Sequence, residues 1–191
     1  MISPHPLRFL LLALLSVAAL VASGCGREDV VTEADTEGIW VDVGALDYHI
    51  QGSRVLEQGI VPDNAYLQGK PVTASDPKAD ELWFAVFLRI ENKTDKPAET
   101  AEDFTIVDTQ GKEFHPYNMD PNLNPFAYQP KTLEPNDAVP VPDSAQDFDS
   151  FAGAYLLFKL PLDSYANRPL EFVIHGQEGD QPAEASIALD V

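Results

Sequence analysis

Apolar and polar residues alternate along several short segments of this chain, with the two-residue period of a β-strand that buries one face. Ile39, Val41 and Val43, for example, alternate with Trp40 and Asp42. No segment shows a sustained helical period. Short strands separated by turns are typical of an antiparallel β-sandwich, so the pattern predicts an all-β protein of that class. The same alternation recurs over residues 46–51, 103–108, 154–161, 170–175 and 185–191.

One segment is apolar on both phases of the alternation. Residues 82–91 read LWFAVFLRIE, the composition of a central strand that is buried on both faces. The turn-forming segments ENKTDKP (91–97) and TQG (109–111) separate the neighbouring strands. These phases predict a core that contains Phe84, Val86, Leu88, Ile106, Leu156 and Phe158.

Two long stretches interrupt the strand pattern. Residues 52–80 are mostly polar, and residues 116–151 carry seven prolines between Pro116 and Pro142. Long loops without regular structure are uncommon and are often functional. One interpretation is that their aromatic side chains pin proline-stiffened loops to the sandwich. The other is that the loops form a binding surface, because aromatic rings bury large areas at a small entropic cost. The rings expected to stack on a partner are those of Tyr66, Phe126 and Tyr128.

The N-terminus has the organisation of an export signal. Arg8 precedes 14 residues from Phe9 to Ala22 that form an apolar run, FLLLALLSVAALVA. This run fits the central region of a signal peptide and is short for a membrane-spanning helix, which needs about 20 residues. The small residues 22–24 follow, and then comes Cys25, the only cysteine in the chain.

This arrangement resembles a bacterial lipoprotein signal, which ends in an apolar residue, two small residues and a cysteine. The resemblance implies cleavage before Cys25 and acylation of its thiol. It also implies a signal peptide over residues 1–24, a lipidated cysteine with a flexible acidic tether over 25–38, and a folded domain over 39–191. Ala22 stands where that family most often has leucine. Cleavage by an ordinary secretory peptidase and retention as an uncleaved anchor are the alternatives.

Charge and cysteine content limit the possible functions. The chain has 31 acidic and 12 basic residues, a formal net charge of −19. Nucleic acids and anionic lipid surfaces attract basic proteins, so neither is an expected partner of the domain itself. With Cys25 lipidated, no other thiol is available for a disulfide, a nucleophile or a metal site.

Residues 80–117 resemble a bacterial immunoglobulin-like, telokin-like domain of unknown function. That family combines an apolar strand ending in Asn-x-Thr with a Phe-x-Leu-x-Asp-x-x-Gly-x-x-Tyr hairpin, and later has a Leu-x-Pro-Gly turn. Here Asn136 replaces the glycine of that turn, which tolerates the change because asparagine adopts positive φ readily. The resemblance implies an immunoglobulin-like antiparallel β-sandwich, preceded by the signal peptide and the disordered acidic tether. The matching residues are Asn92, Thr94, Phe104, Ile106, Asp108, Gly111 and Phe114.

Few residues suggest chemistry. His49, His115 and His175 have no metal-binding spacing and are expected on the surface. Asp143, Asp147 and Asp149 form an acidic segment that could ligate Ca²⁺, although the EF-hand order is missing.

The sequence therefore predicts a lipid-anchored extracytoplasmic module on the outer leaflet of the bacterial cell membrane. Its partners would be the lipid bilayer, through acylated Cys25, and an envelope protein or polymer, with no nucleic acid. It would bind that component or shield the envelope through residues 52–80 and 116–151, without catalysis or a cofactor. The alternative is a small Ca²⁺-dependent module or hydrolase that uses residues 143–149.

Overall fold

Two antiparallel sheets pack against each other in the computed structural model, which describes residues 30–148, 151 and 153–189. This arrangement confirms the β-sandwich that the sequence predicts. The first sheet contains, in spatial order, β1 (Glu33–Ala34), β12 (Gln181–Leu189), β11 (Leu170–Glu178), β6 (Asp103–Val107) and β7 (Glu113–Phe114). The second contains β10 (Ala154–Pro161), β4 (Glu81–Glu91), β3 (Leu46–Leu56) and β2 (Trp40–Val43), with β9 (Ala138–Val139) beside the end of β4. A separate ladder pairs β5 (Ala98–Glu99) with β8 (Thr132–Leu133).

The main core lies between the two sheets and is strongly aromatic. Phe158 of the second sheet meets Phe172 of the first with ring centres 6.3 Å apart, and Phe104 stacks on Phe172 at 5.8 Å. The strand phases read from the sequence are therefore confirmed. All six residues predicted for the core are buried, namely Phe84, Val86, Leu88, Ile106, Leu156 and Phe158.

A second apolar cluster covers the outer face of the second sheet. The alternate residues of β4, Trp83, Ala85 and Phe87, point away from the main core and are nevertheless buried. Residues 57–80 and 116–128, which we call the loop layer, lie over them. Strand β4 is therefore buried on both faces, as its almost continuous apolar sequence predicts.

The two long stretches contain more regular structure than the sequence suggests. Residues 52–56 belong to β3, which continues past a register shift between Ile50 and Gly52. A one-turn helix, α1 (Asp63–Tyr66), lies in the first stretch, and β8 and β9 lie in the second. A second short helix, α2 (Leu162–Ala166), follows β10.

Residues 30–38 correct the prediction of a free tether. The carbonyl of Val31 accepts a hydrogen bond from the Asp42 N–H at 2.7 Å, and the carbonyl of Thr32 accepts one from the Ser186 N–H at 2.9 Å. Next to them, β1 pairs with β12 in parallel. The segment is ordered because it bonds to both sheets, although it has no apolar periodicity of its own. The signal peptide, Cys25 and the first part of the tether lie outside the described residues. Over the residues that are described, no helix is long and apolar enough to cross a bilayer.

Candidate binding surfaces

Asn124 fixes the loop layer to the second sheet. Its side-chain amide nitrogen lies 3.0 Å from the carbonyl oxygens of Tyr66 and Gln68, and 2.8 Å from the hydroxyl of Tyr155 on β10. That hydroxyl in turn donates to the carbonyl of Tyr66. Burial raises the pKa of Tyr155, which keeps the hydroxyl protonated as a donor. One buried asparagine thus joins both halves of the loop layer to the sandwich.

Two of the three aromatic residues predicted to contact a partner are core residues, so the prediction is wrong for them. Tyr66 is 2% exposed, and its ring packs edge-on against Phe87 with centres 5.2 Å apart. Tyr128 is 7% exposed, and its hydroxyl donates to the carbonyl of Ala101 at 2.6 Å. Phe126 is half-buried against Tyr66. The loop aromatics pin the loops to the sandwich, which is the other interpretation that the sequence allowed.

An ion pair holds α1 against the end of β3. Arg54 Nη2 lies 2.5 Å from Asp63 Oδ1, and the Glu57 N–H donates to Asp63 Oδ2 at 2.8 Å. Burial disfavours the charged form of Asp63, but these hydrogen bonds and the positive charge of Arg54 outweigh it. The pKa of the Asp63 carboxyl therefore lies below its usual value. The guanidinium also lies over the ring of Phe151 at 5.4 Å, so this pair is part of the packing of the loop layer.

A groove separates the loop layer from β6. Its cavity volume is about 290 Å³, and its lining includes the aromatic residues Phe104, Tyr117, Tyr128 and Tyr155 together with Pro116 and Met119. Glu102 and Asn118 supply polar groups at the same groove. Pockets with aromatic and apolar walls and a few polar groups are typical of binding sites. Of the three predicted aromatic residues, only Tyr128 lines it, through the small part of its surface that is exposed.

Large aliphatic side chains remain exposed on the loop layer, where sequence reasoning considered only aromatic residues. Val61 is 86% exposed and Leu123 is 65% exposed. Outside this layer Phe148 is 74% exposed. The run Ile60–Val61–Pro62, apolar within a polar stretch, was the sequence signal for the first of these positions.

One residue of the acidic segment, Asp147, forms an ion pair with Arg89 of β4. Asp147 Oδ1 lies 3.4 Å from Arg89 Nη1, and its other oxygen accepts the Asp143 N–H at 3.2 Å. Asp149 lies outside the described residues. Within residues 30–148, 151 and 153–189, no group of three or more acidic, histidine or cysteine side chains could hold a metal ion. The described part of this segment thus favours a structural contact with β4.

Two histidines, His115 and His175, lie on the outer face of the first sheet, and His175 has polar side chains on both sides of its ring. His175 Nδ1 lies 3.0 Å from Glu184 Oε2, and its Nε2 lies 3.1 Å from the hydroxyl of Thr105. A hydroxyl, an imidazole and a carboxylate in a row form the arrangement that activates nucleophiles in hydrolases. Thr105 is only 4% exposed, however, so its hydroxyl is not presented to a substrate. We assign the row to cross-strand pairing, since Glu184 stands directly opposite His175. His115 is exposed, and His49 is half-buried.

Comparison with known proteins reveals the fold alone. No protein-family model matches the sequence, and no curated protein matches it. The structure of the yjhA protein from Bacillus subtilis aligns over 82% of this chain and 99% of its own, at 10% identity and a TM-score of 0.53. An uncharacterized β-sandwich protein from Clostridium difficile 630, CD630_09570, aligns over 86% of this chain and 99% of its own, at 8% identity and a TM-score of 0.41. The candidate lipoprotein ycdA from Bacillus subtilis aligns over 80% of this chain and 38% of its own, at 12% identity and a TM-score of 0.44. The chain is similar to bacterial β-sandwich proteins.

Proposed function

We propose that this chain is a lipid-anchored module of the bacterial envelope that binds another envelope component in the groove between the loop layer and β6. The observation that carries the proposal is the groove itself, whose rim carries the half-buried ring of Tyr117 and the exposed polar side chains of Glu102 and Asn118. Its size suits one segment of a protein or polymer, and tyrosine is enriched at the centres of binding sites. The exposed Val61 and Leu123 of the adjoining loop layer extend the apolar surface available to such a partner.

The anchor in this proposal is the lipid on Cys25. The apolar run, the small residues 22–24 and the following cysteine support it, as does the absence of any second cysteine that could pair with Cys25. An acylated N-terminal residue with two or more chains holds a protein stably on a bilayer, whereas one chain is marginal. The protein then lies on the outer leaflet of the cell membrane.

The strand order supports an immunoglobulin-like version of the sandwich. Strands β3, β4 and β10 have the order A, B, E of that fold, and β6, β11 and β12 have the order C, F, G. Residues 117 and 127 bridge to β10 in the position of strand D. We include the telokin-like resemblance of residues 80–117 in the proposal on this basis.

A binding role is favoured over catalysis by the state of the polar groups. The hydroxyl in the row that contains His175 is buried, and Asp147 is paired with Arg89. In the described part of the chain these are the groups that come nearest to catalytic arrangements.

Anchoring is tested by expressing the full chain in a bacterium fed with a clickable palmitate analogue. The wild-type protein should incorporate the analogue and sediment with membranes. Cys25→Ser should abolish incorporation and either release the protein or leave its precursor uncut, while Ser23→Ala, which keeps a small residue, should change neither. A Cys25→Ser protein that is cleaved normally and still sediments would contradict lipid anchoring.

The groove is tested with a photo-crosslinking amino acid at Asn118, on its exposed rim. The matched control carries it at Gln110, an exposed turn residue between β6 and β7. We expect a discrete crosslinked product from Asn118 in intact cells that is absent from Gln110. The same products from both positions, or none from either, would refute the groove as the binding surface.

A further inference from the structure

The described chain enters the sandwich at one defined end. Glu33 stands opposite Ser186 and Ala34 opposite Ile187 in the parallel pair of β1 and β12. Counting back in this register places Val30 level with Ala183, about 7 Å along the strand axis from the start of β12 at Gln181, since a strand rises about 3.3 Å per residue. The hydrogen bond from the Asp42 N–H to the Val31 carbonyl places the same segment beside the C-terminal end of β2.

Four turns form this end, which we call the proximal end. They are residues 44–45 between β2 and β3, residues 92–97 after β4, residues 134–137 between β8 and β9, and residues 179–180 between β11 and β12. The turn at residues 44–45 packs directly against the end of β11, where a Cβ at Gly44 would clash with the carbonyl oxygen of Gln177. The opposite end, which we call the distal end, contains α2, the turn at residues 108–112 and the end of β12. Leu170 and Glu178, at the two ends of β11, are about 26 Å apart along the strand at this rise per residue.

The segment between Cys25 and Val30 is too short to allow the distal end of the domain to lie on the membrane. Five residue steps connect Cys25 to Val30, and a fully extended chain covers at most about 3.6 Å per residue, or about 18 Å in all. If the distal end touched the membrane, Val30 would stand about 20 Å above it, the six-residue distance from the level of Ala183 to Leu189. That height exceeds the extended length of the chain from Cys25 to Val30, even if Cys25 lies at the outer surface of the headgroups.

We infer that the proximal end of the sandwich faces the lipid surface and that the distal end faces away from it. The inference rests on the proposed lipidation of Cys25. In this arrangement the connection between the lipid and the domain is much shorter than the free tether that the sequence suggested, and it leads directly into the edge strand β1.

The charges at the proximal end determine how closely it approaches. Exposed carboxylates at Asp95, Glu134, Asp137, Glu178 and Asp180 outnumber the cations Lys93 and Lys96. Lys93 is already paired with Asp47 at 2.7 Å. An anionic leaflet repels this surface within a Debye length, about 10 Å at 0.1 M salt. The end should therefore approach a zwitterionic bilayer more closely than an anionic one, and the difference should shrink as salt is raised.

The orientation is tested with the mature lipoprotein reconstituted into liposomes whose headgroups carry an energy-transfer acceptor. A donor dye is attached to a cysteine introduced at Asp180→Cys, in the proximal turn, or at Gln110→Cys, in the distal turn; both positions are exposed. Cys25 does not react because its thiol is acylated. We expect the dye at position 180 to lose a larger fraction of its emission than the dye at position 110, and to lose more in phosphatidylcholine than in phosphatidylglycerol at low salt.

Each result has a defined meaning. Equal losses at the two positions, or a larger loss at position 110, in protein that floats with the liposomes would overturn the orientation and leave lipid anchoring intact. Failure of the protein to float would overturn the lipid anchor, and the orientation with it. A full loss at position 180 that persists when the liposomes carry no acceptor would show a dye artefact and count against the inference.

Discussion

The side-chain amide of Asn124 donates to the hydroxyl of Tyr155 across 2.8 Å, although the two residues belong to different layers of the protein. The same nitrogen faces three backbone carbonyls of residues 65–68 at 3.0–3.1 Å. The contacts with Tyr66 and Tyr155 are buried, and those with Ala65 and Gln68 are partly buried, so the amide supplies hydrogen bonds to groups that water reaches poorly. This side chain therefore adds hydrogen bonds to the apolar packing that holds the loop layer over β4.

Replacing Asn124 should loosen the loop layer. Asn124→Ala removes the amide that joins the loop layer to the Tyr155 hydroxyl and to the backbone of residues 65–68, which costs about 1–3 kcal/mol of unfolding free energy. Urea denaturation measures the loss. Asn122→Ala is the matched control, because Asn122 is exposed and bonds only to nearby Asp120. Equal stability of Asn124→Ala and Asn122→Ala would show that the layer is held by apolar packing alone.

Acid should weaken the contact between α1 and β3. The pKa of Asp63 is below its usual value in the folded protein, so its ionised form stabilises the fold above the unfolded pKa of about 3.9. That contribution is lost as the pH falls from there through the lower folded pKa. Unfolding free energies measured between pH 6 and pH 2 should therefore fall less steeply in Asp63→Asn than in the wild type. Asp95→Asn, at an exposed turn, should retain the wild-type slope.

Removing a ring from the core should be costly. Phe158 is fully buried between the sheets and meets Phe172. Phe158→Ala should lower the unfolding free energy by about 3–5 kcal/mol, through lost burial and the cavity left behind. Phe148→Ala, at a position 74% exposed, should change it by less than about 0.5 kcal/mol. Similar effects of the two substitutions in denaturant titrations would mean that the assigned strand phase of β10 is incorrect.

Alkali should unfold the protein through its buried tyrosines. Burial raises the pKa of Tyr48 to about 12, and it also raises the pKa values of Tyr128 and Tyr155. Since these groups hold their protons more tightly when folded, stability decreases as the pH rises above the unfolded value of about 10. Phenolate absorbance should show part of the six tyrosines ionising only together with loss of the near-ultraviolet circular dichroism. Complete ionisation with the fold intact would contradict the burial of these rings.

Without its lipid, the domain should bind neither nucleic acids nor anionic lipid surfaces. The chain carries a net charge of −19, and binding to phosphate groups requires a basic surface. A protein beginning at Gly26 should show no cosedimentation with phosphatidylglycerol vesicles and no retardation of duplex DNA at 0.1 M salt. Salt-sensitive binding to either would reveal a basic surface that the described residues do not suggest.

The sequence was informative where burial follows a local period. The run from Leu82 to Leu88 identified a strand buried on both faces, and the six core residues followed from strand phase. Tyr66 and Tyr128 were misjudged because a polar loop suggests exposure. In the folded chain the Tyr66 carbonyl accepts a hydrogen bond from the Tyr155 hydroxyl, and the Ala101 carbonyl accepts one from the Tyr128 hydroxyl. These bonds allow the polar groups to be buried with the rings. Nothing in the local sequence marks such pairings.

Strand β1 was missed for a related reason. Residues 30–38 have no apolar period, and the partners that order them, Asp42 and Ser186, are respectively close and very distant in the chain. The groove beside β6 likewise arises where segments far apart in sequence meet. Contacts of this kind are set by topology, which a single sequence specifies only indirectly.

The edge position of β1 also bears on aggregation. An open strand edge is a template on which another chain can add a strand, and proteins commonly block such edges. Here β1 covers the outer edge of β12, Val31 covers Asp42 of β2, and the segment that contains Tyr117 and Tyr128 covers much of β10. A protein trimmed to begin at Ile39 would lose the first two covers together. Recombinant versions that are cut at that apparent domain boundary should therefore self-associate, whereas versions that retain residues 30–38 should stay monomeric at the same concentration.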